Sequence, residues 1–182
     1  MTRIIILTGF LATLKTTISH RLSKDLGVPT INKDSIKEIL VDSIGFTNRE
    51  ENLKLSHATF QMIKYIMVKN IEFKIDTIIE SNFKPIELIE IDHISKMNKV
   101  ETLSIFLSGS YDVLYKRYVE RQPSRHPAHT SAGLMSYETF RLSMQNYRKE
   151  NCIGNVVEFD TTNFDETSYA EILNLTKSFL GK

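Results

Sequence analysis

Short apolar runs alternate along this chain with longer segments in which apolar residues recur every three or four positions. Unbroken β-branched and aliphatic runs are typical of strands buried on both faces of a parallel sheet, whereas the longer spacing is typical of helices. The runs predict five strands, at residues 4–7, 28–32, 76–79, 102–107 and 156–159. The spaced segments predict helices at residues 16–26, 35–40, 48–73, 86–97, 111–121, 137–150 and 166–180.

Strands that alternate with helices predict an α/β protein in which a parallel sheet lies between two layers of helices. Ligands of such three-layer αβα sandwiches bind beyond the carboxyl ends of the strands. The segments that follow the predicted strands are mostly polar, and they are residues 9–17, 33–34, 80–82, 108–110 and 160–163. We therefore expect a binding site at this edge of the sheet.

Composition excludes some classes of protein. The chain has 182 residues, enough for a single domain over residues 1–182, and a formal net charge of +1. This balance gives no broad field that would favour nucleic acid or an anionic membrane. The single cysteine, Cys152, excludes an intrachain disulfide, and no apolar run is long enough for a membrane span. We predict a cytoplasmic protein that does not interact with membranes.

The stretch GFLATLKTT, residues 9–17, lies between the first predicted strand and the helix that follows. Gly9, Lys15 and Thr16 match the spacing of the phosphate-binding loop G-x-x-x-x-G-K-[ST], where backbone N–H groups and a helix N-terminus hold phosphates. Lys15 would reach the outer phosphates, and the Thr16 hydroxyl would hold Mg²⁺. The alternative is a simple turn followed by a helix start with a solvated lysine.

Leu14 stands where this loop has its second glycine. A positive φ at this position would cost a leucine of the order of 1 kcal/mol or more. An αR or bridge conformation would tolerate leucine, and its side chain would then turn away from the phosphates.

Two carboxylates follow predicted strands. Asp34 is a candidate general base that takes the proton of an acceptor hydroxyl during phosphoryl transfer, or else the N-cap of the helix that starts at Ser35. Glu80 would order Mg²⁺ through water, or else it closes its strand as an ordinary polar residue.

Three arginines lie close together in the sequence. Arg117 and Arg121 share one helix face, and Arg125 lies in the loop that follows. Guanidinium groups near a nucleotide would neutralise charge on the transferred phosphoryl group, and the alternative is a solvated helix face. The loop has two prolines and little apolar content, which predicts a short mobile lid over about residues 122–135. Its two histidines are too few for a structural zinc site, and we expect them to contact substrate or to dock the lid.

Several stretches together resemble one family: GFLATLKTT, NKDSIKEIL, TIIESNF, RYVERQPSRHPAH and EFDTTN. Their order and spacing resemble the P-loop kinases of the AAA-like, zeta-toxin-like and chloramphenicol-phosphotransferase-like branch, and polynucleotide 5′-kinase domains are similar. The resemblance covers nearly the whole chain. It implies a five-stranded parallel sheet in the order 2-3-1-4-5, ATP with Mg²⁺, and transfer of the γ-phosphate to a hydroxyl group.

The resemblance also implies residue roles by position. Asp34 becomes the catalytic acidic residue, and Arg121 and Arg125 become the lid arginines. Thr161 and Thr162 would lie in the loop that lines the nucleotide base. The phosphate loop would consist of Gly9, Phe10, Leu11, Ala12, Thr13, Leu14, Lys15, Thr16 and Thr17.

The leading hypothesis is an ATP-dependent kinase that acts on a small molecule or a nucleoside-type acceptor. Leu14 leaves open a nucleotide-binding protein with weak or no turnover. A nucleic-acid end as acceptor is not favoured, because the charge is near neutral and no basic, aromatic-rich strip is present. The acceptor itself is not predicted. Candidates for its pocket are His57, Phe60, Gln61, Tyr65, Asn82, Phe83 and Lys84.

Overall fold

The computed structural model of the chain describes residues 2–130 and 133–182. Five strands pair in parallel in one sheet, in the order β2-β3-β1-β4-β5. The strands are β1 (Arg3–Gly9), β2 (Thr30–Asn32), β3 (Thr77–Glu80), β4 (Glu101–Ser108) and β5 (Asn155–Asp160). This sheet confirms the predicted fold class and strand order.

Eight α-helices connect and cover these strands within the described residues. They are α1 (Lys15–Leu26), α2 (Lys33–Ile44), α3 (Arg49–Glu72), α4 (Pro85–Met97), α5 (Tyr111–Glu120), α6 (Pro127–Thr130), α7 (Tyr137–Met144) and α8 (Glu166–Leu180). Short 3-10 turns lie at Gln122–Ser124 and Lys149–Asn151. Among the helices so described, none has the length and apolar character needed to cross a membrane.

Successive residues of the central strand β1 point to opposite faces of the sheet. Ile5 and Leu7 pack in a cluster with α1 and α8, whereas Ile4 and Ile6 pack in a second cluster with α3 and α4. All four side chains are fully buried, and burial of an aliphatic side chain contributes roughly 1.5–3 kcal/mol. The unbroken apolar run therefore reflects a strand with a core on each face.

Several predicted boundaries differ from the observed ones by two or more residues, and two of these differences have a clear physical cause. The helix predicted at residues 137–150 ends at Met144, because the next position on its buried face is Arg148, which is polar and exposed. The strand predicted from residue 28 begins at Thr30, because the Val28 N–H donates back to the carbonyl of Ser23 and Pro29 has no N–H to donate.

Candidate functional site

The carboxyl ends of β1, β2 and β3 meet at a cavity of about 660 Å³. The residues that line it come from the loop after β1, the start of α2, the middle of α3, the segment after β3, the end of α5, the lid and the segment after α7. Seven lysine and arginine side chains line this cavity, against three aspartate and glutamate side chains. The predicted edge of the sheet is therefore a concave and predominantly cationic site.

The backbone of the loop that follows β1 takes three positive φ angles: 129° at Gly9, 61° at Ala12 and 64° at Leu14. A Cβ at Gly9 would lie 2.1 Å from the carbonyl oxygen of Leu107, so glycine is required on steric grounds as well. Leu14 is left-handed (φ 64°, ψ 18°), so of the two alternatives the positive φ holds and the αR or bridge conformation does not. This conformation is the reason that glycine suits the position.

The Leu14 side chain is half-buried against the core cluster formed with α1 and α8. Packing there offsets part of the conformational cost of a left-handed leucine, which is about 1–2 kcal/mol. The loop thus keeps the backbone path of a glycine with a leucine in place.

Lys15 is the first residue of α1, and only 8% of it is exposed. Its ammonium group donates to the carbonyl of Phe10 and to the Thr13 hydroxyl, the latter at 3.1 Å. Burial lowers the pKa of Lys15 to about 8, although the Glu80 carboxylate opposes this shift. A cation is therefore held at the centre of the loop by neutral oxygen atoms.

Thr16, Asn32 and Glu80 form a hydrogen-bonded cluster beside Lys15. The Thr16 hydroxyl donates to Glu80 Oε2 at 3.1 Å, and the Asn32 amide donates to the same carboxylate and to Thr16 Oγ1 at 3.3 Å. Burial raises the pKa of Glu80 to about 7, and the neighbouring Lys15 opposes the shift. Hydroxyl and carboxylate oxygens are the ligands that Mg²⁺ prefers, so Thr16 and Glu80 fit that ion.

Asp34 lies in the first turn of α2, and its carboxylate lines the cavity with 60% of the side chain exposed. The alternative role as an N-cap is wrong. The helix begins one residue earlier, at Lys33, and Asn32 Oδ1 caps it by accepting from Ser35 N at 2.9 Å. The Asp34 carboxylate is thus not used as a cap and faces the cavity.

All three predicted arginines line the cavity. Arg117 is held by two backbone carbonyls: Nη1 donates to Thr161 at 2.8 Å and Nη2 to Thr162 at 3.1 Å. Thr161 is fully buried, and its hydroxyl donates to the Ser108 carbonyl. Neither threonine lines the cavity, and the same holds for Gly9 and Phe10 of the loop.

The predicted lid is docked against α2 over residues 126–130. His126 contacts Asp42 at 3.0 Å, and His129 contacts Glu38 at 3.0 Å. The amide of Asn52 and the ammonium of Lys37 both donate to the carbonyl of Ala128, each at 3.1 Å.

Ala128 itself is 1% exposed. The sequence of the lid has little apolar content, but the buried Ala128 nevertheless anchors it. The part of the lid prediction at residues 131–132 lies outside the described residues.

The acceptor side of the cavity differs from the prediction. Asn82 and Lys84 line it, whereas Phe60 and Phe83 lie in the core, and Tyr65 is exposed outside the lining. His57 and Gln61 are exposed and contact each other.

Sequence reasoning missed Lys37, Ser56, Glu120 and Tyr147 in the lining, and Asn32 beneath it. Lys33 and Lys37 are four residues apart and flank Asp34 at a helix start, a signal that is readable in the sequence. Tyr147 follows α7 and carried no such signal.

No protein-family model matches this chain, and no curated protein is detectably similar in sequence. Solved structures do share its fold. A Chloroflexus aurantiacus protein proposed to be a kinase is 24% identical, with a TM-score of 0.81 over 97% of each chain.

A gluconokinase from Sinorhizobium meliloti is 15% identical (TM-score 0.63, over 98% of this chain and 91% of the other). A shikimate kinase from Bacteroides thetaiotaomicron is 16% identical (TM-score 0.59, over 99% of both chains). The fold is therefore that of the P-loop kinases.

Proposed function

We propose that this protein is an ATP-dependent kinase that transfers the γ-phosphoryl group to a hydroxyl group of a small molecule. The observation that carries the proposal is the convergence of Lys15, Thr16, Asp34, Glu80 and the three arginines on one cavity at the carboxyl edge of a P-loop kinase sheet. We also propose that residues 1–182 act as one domain, with residues 122–135 as its lid.

The phosphate loop holds the triphosphate in this proposal. Backbone N–H groups of the loop and the N-terminus of α1 point to the same place, and Lys15 exchanges its neutral loop partners for phosphate oxygens. Thr16 and Glu80 would hold Mg²⁺, which would neutralise charge on the triphosphate. Arg117 fixes the backbone of Thr161 and Thr162, which border the nucleotide base in this proposal.

Transfer proceeds by in-line displacement at the γ-phosphorus. The acceptor oxygen forms a new bond to phosphorus while the bond from phosphorus to the β,γ-bridging oxygen breaks, and ADP leaves with the electron pair. Asp34 takes the hydroxyl proton, and Arg121 and Arg125 face the charge that develops on the transferred group.

A second function is binding of nucleotide without turnover. The specific observation in its favour is that Ala12 and Leu14 both take left-handed backbone conformations that side chains resist. Membership of the zeta-toxin-like branch and a cytoplasmic location remain predictions alongside both functions.

The test is release of ADP from MgATP in the presence of a panel of hydroxyl acceptors. We expect acceptor-dependent release that falls at least 100-fold in Asp34→Asn, since general bases contribute about 10²–10⁴-fold. Asp92→Asn, on the outer surface of α4, is the matched control and keeps its rate. Binding of MgATP without release in any mixture supports the second function, and absence of binding at millimolar MgATP rejects both.

A further inference from the structure

The cationic side chains of the cavity exceed what a nucleotide requires. Lys15 belongs to the phosphate loop, Arg117 is engaged by backbone carbonyls, and Lys33 forms a buried ion pair with Glu87. Four further cations line the cavity: Lys37, Lys84, Arg121 and Arg125. Within residues 2–130 and 133–182, no carboxylate oxygen lies within 4 Å of the charged group of any of these four side chains, although the backbone N–H of Lys84 donates to the Glu87 carboxylate.

Lys37 is the most informative of the four. It is half-buried, and its one hydrogen-bond acceptor among the described residues is the neutral carbonyl of Ala128. Burial lowers the pKa of Lys37, although the nearby Asp34 opposes the shift. An ammonium group has three donors, so two remain for a ligand. A partly desolvated cation without a neutralising partner indicates a place where an anion is bound.

The position of Lys37 relates it to the acceptor rather than to the nucleotide. It lies one helical turn after Lys33 on α2. It follows Asp34 in the sequence, whereas the phosphate loop precedes Asp34. Lys84 follows β3 and lines the same cavity, and the lid residue Arg125 is close enough to Lys37 to contribute to lowering its pKa. Asp34 is close enough to both Lys15 and Lys37 to influence the pKa of each.

The remaining lining on this side is polar and small. Ser56, Ser81 and Asn82 offer hydroxyl and amide groups, and Tyr147 supplies the aromatic ring among the described residues of this wall. Such a wall gives little stacking surface for a nucleobase or another aromatic compound. It offers hydrogen bonds that suit a compact, hydroxylated molecule.

We infer that the acceptor is a small hydroxylated anion, a hydroxy acid or a phosphorylated polyol, whose charged group binds to Lys37 and Lys84 while its hydroxyl faces Asp34. This inference rests on the proposed kinase function. Lys37 and Lys84 have no role at the nucleotide in the proposed function, so they are available to bind the acceptor.

The test measures binding of small anions to the protein whose nucleotide site is already full. The protein is saturated with Mg²⁺ and a non-hydrolysable ATP analogue, and inorganic phosphate, glycolate and neutral ethylene glycol are titrated separately by calorimetry at constant ionic strength. We expect saturable binding of phosphate or glycolate, and the tighter of the two identifies the charged group. Ethylene glycol gives no saturable signal.

Two variants separate the specific site from general charge. We expect Lys37→Gln to weaken binding of the anion at least tenfold while the ATP analogue binds as before. Lys177→Gln, which removes an exposed lysine on α8, is the matched control and leaves anion binding unchanged.

The outcomes distinguish the inference from the proposed function. If the ATP analogue does not bind, the kinase proposal fails. If the analogue binds but the anions do not, or if Lys37→Gln binds them as well as the wild type, the kinase proposal stands and the anionic acceptor is rejected. Equal binding of ethylene glycol would also reject it.

Discussion

The two walls of the cavity are built in different ways. The phosphate-loop wall comes from seven consecutive residues, 11–17, at the junction of β1 and α1, and the side-chain hydrogen bonds of Thr13 and Lys15 run within that loop. The acceptor wall comes from α2, α3, the segment after β3, the lid and the segment after α7, which are far apart in the sequence. In the wall made of consecutive residues, backbone geometry fixes the positions of the side chains. In the wall made of distant residues, the packing of helices and strands fixes them.

The two walls also differ in which groups neutralise their lysine side chains. In the phosphate-loop wall, Lys15 is held by neutral oxygens, and Glu80 is the nearby carboxylate. In the acceptor wall, Lys33 has a buried partner in Glu87, whereas Lys37 has a carbonyl alone among the described residues. Substitutions in the two walls should therefore affect stability and ligand binding to different degrees.

The largest effect is expected from breaking the buried ion pair of the acceptor wall. Lys33→Met leaves the Glu87 carboxylate buried without its partner, which should lower the free energy of unfolding by about 3–5 kcal/mol. Chemical denaturation monitored by circular dichroism measures it. Lys33→Met/Glu87→Gln removes both charges and should recover at least half of the loss.

The matched control for that pair is Lys64→Met, which breaks the more exposed ion pair between Lys64 of α3 and Glu90 of α4. Exposed pairs contribute about 0–1 kcal/mol, so the control should stay within that range. A double variant no more stable than Lys33→Met alone would show that the pair is not the reason for the loss.

The next effect tests the backbone constraint of the phosphate-loop wall. Gly9→Ala places a methyl group against the Leu107 carbonyl in addition to its positive φ, and should lower the free energy of unfolding by about 3 kcal/mol. Gly27→Ala has a φ of 64° but open space around the new methyl group. It should cost about 1 kcal/mol. Equal losses in denaturation would contradict the steric argument.

A smaller effect concerns pH and the proposed magnesium residues. Mg²⁺ needs the ionised Glu80 carboxylate, and burial raises the pKa of this group to about 7. Affinity for MgATP should therefore rise nearly tenfold from about pH 6 to pH 7.5. It should fall again above about pH 8, because burial lowers the pKa of Lys15 to about 8 and the ammonium group is then lost.

Titration calorimetry across this range measures both flanks. Glu80→Gln has no carboxylate to ionise, so its affinity for MgATP should fall less than that of the wild type on the acidic flank. The fall that remains should be the part that arises from protonation of ATP itself. If the variant keeps the full acidic flank, Glu80 does not control binding of the metal–nucleotide complex.

The smallest effect is expected at Leu14. Leu14→Gly relieves the left-handed strain but loses half-buried packing, so the free energy of unfolding should change by less than about 1 kcal/mol. Affinity for MgATP should stay within about threefold, because the backbone path is already that of a glycine. Leu14→Ile, a β-branched residue with a higher cost in this conformation, should weaken both properties.

Sequence patterns predicted the sheet well because burial on both faces leaves an unmistakable apolar run. Residues 166–180 were predicted as a helix, and α8 has these bounds. The helix that ends at Met144 was overextended, since helix-forming residues continue after the buried face has ended. Local propensity does not report the loss of a packing partner.

The two walls of the candidate site also differ in how well the sequence predicted them. The phosphate loop was readable because its residues are consecutive and follow a known spacing. The sequence did not decide the conformation of Leu14, because a φ angle depends on how the loop closes between β1 and α1. Tyr147 and Ser56 reach the acceptor wall through tertiary packing alone, which no local pattern records.

The most direct test of the account is a calorimetric titration of the protein with MgATP, alongside Lys15→Ala and the control Lys24→Ala, an exposed lysine on the same helix. The account predicts saturable one-to-one binding that is lost in Lys15→Ala and kept in Lys24→Ala. No binding to the wild-type protein at millimolar MgATP, or equal binding to Lys15→Ala, would contradict the claim that residues 9–17 form a working phosphate site with leucine at position 14.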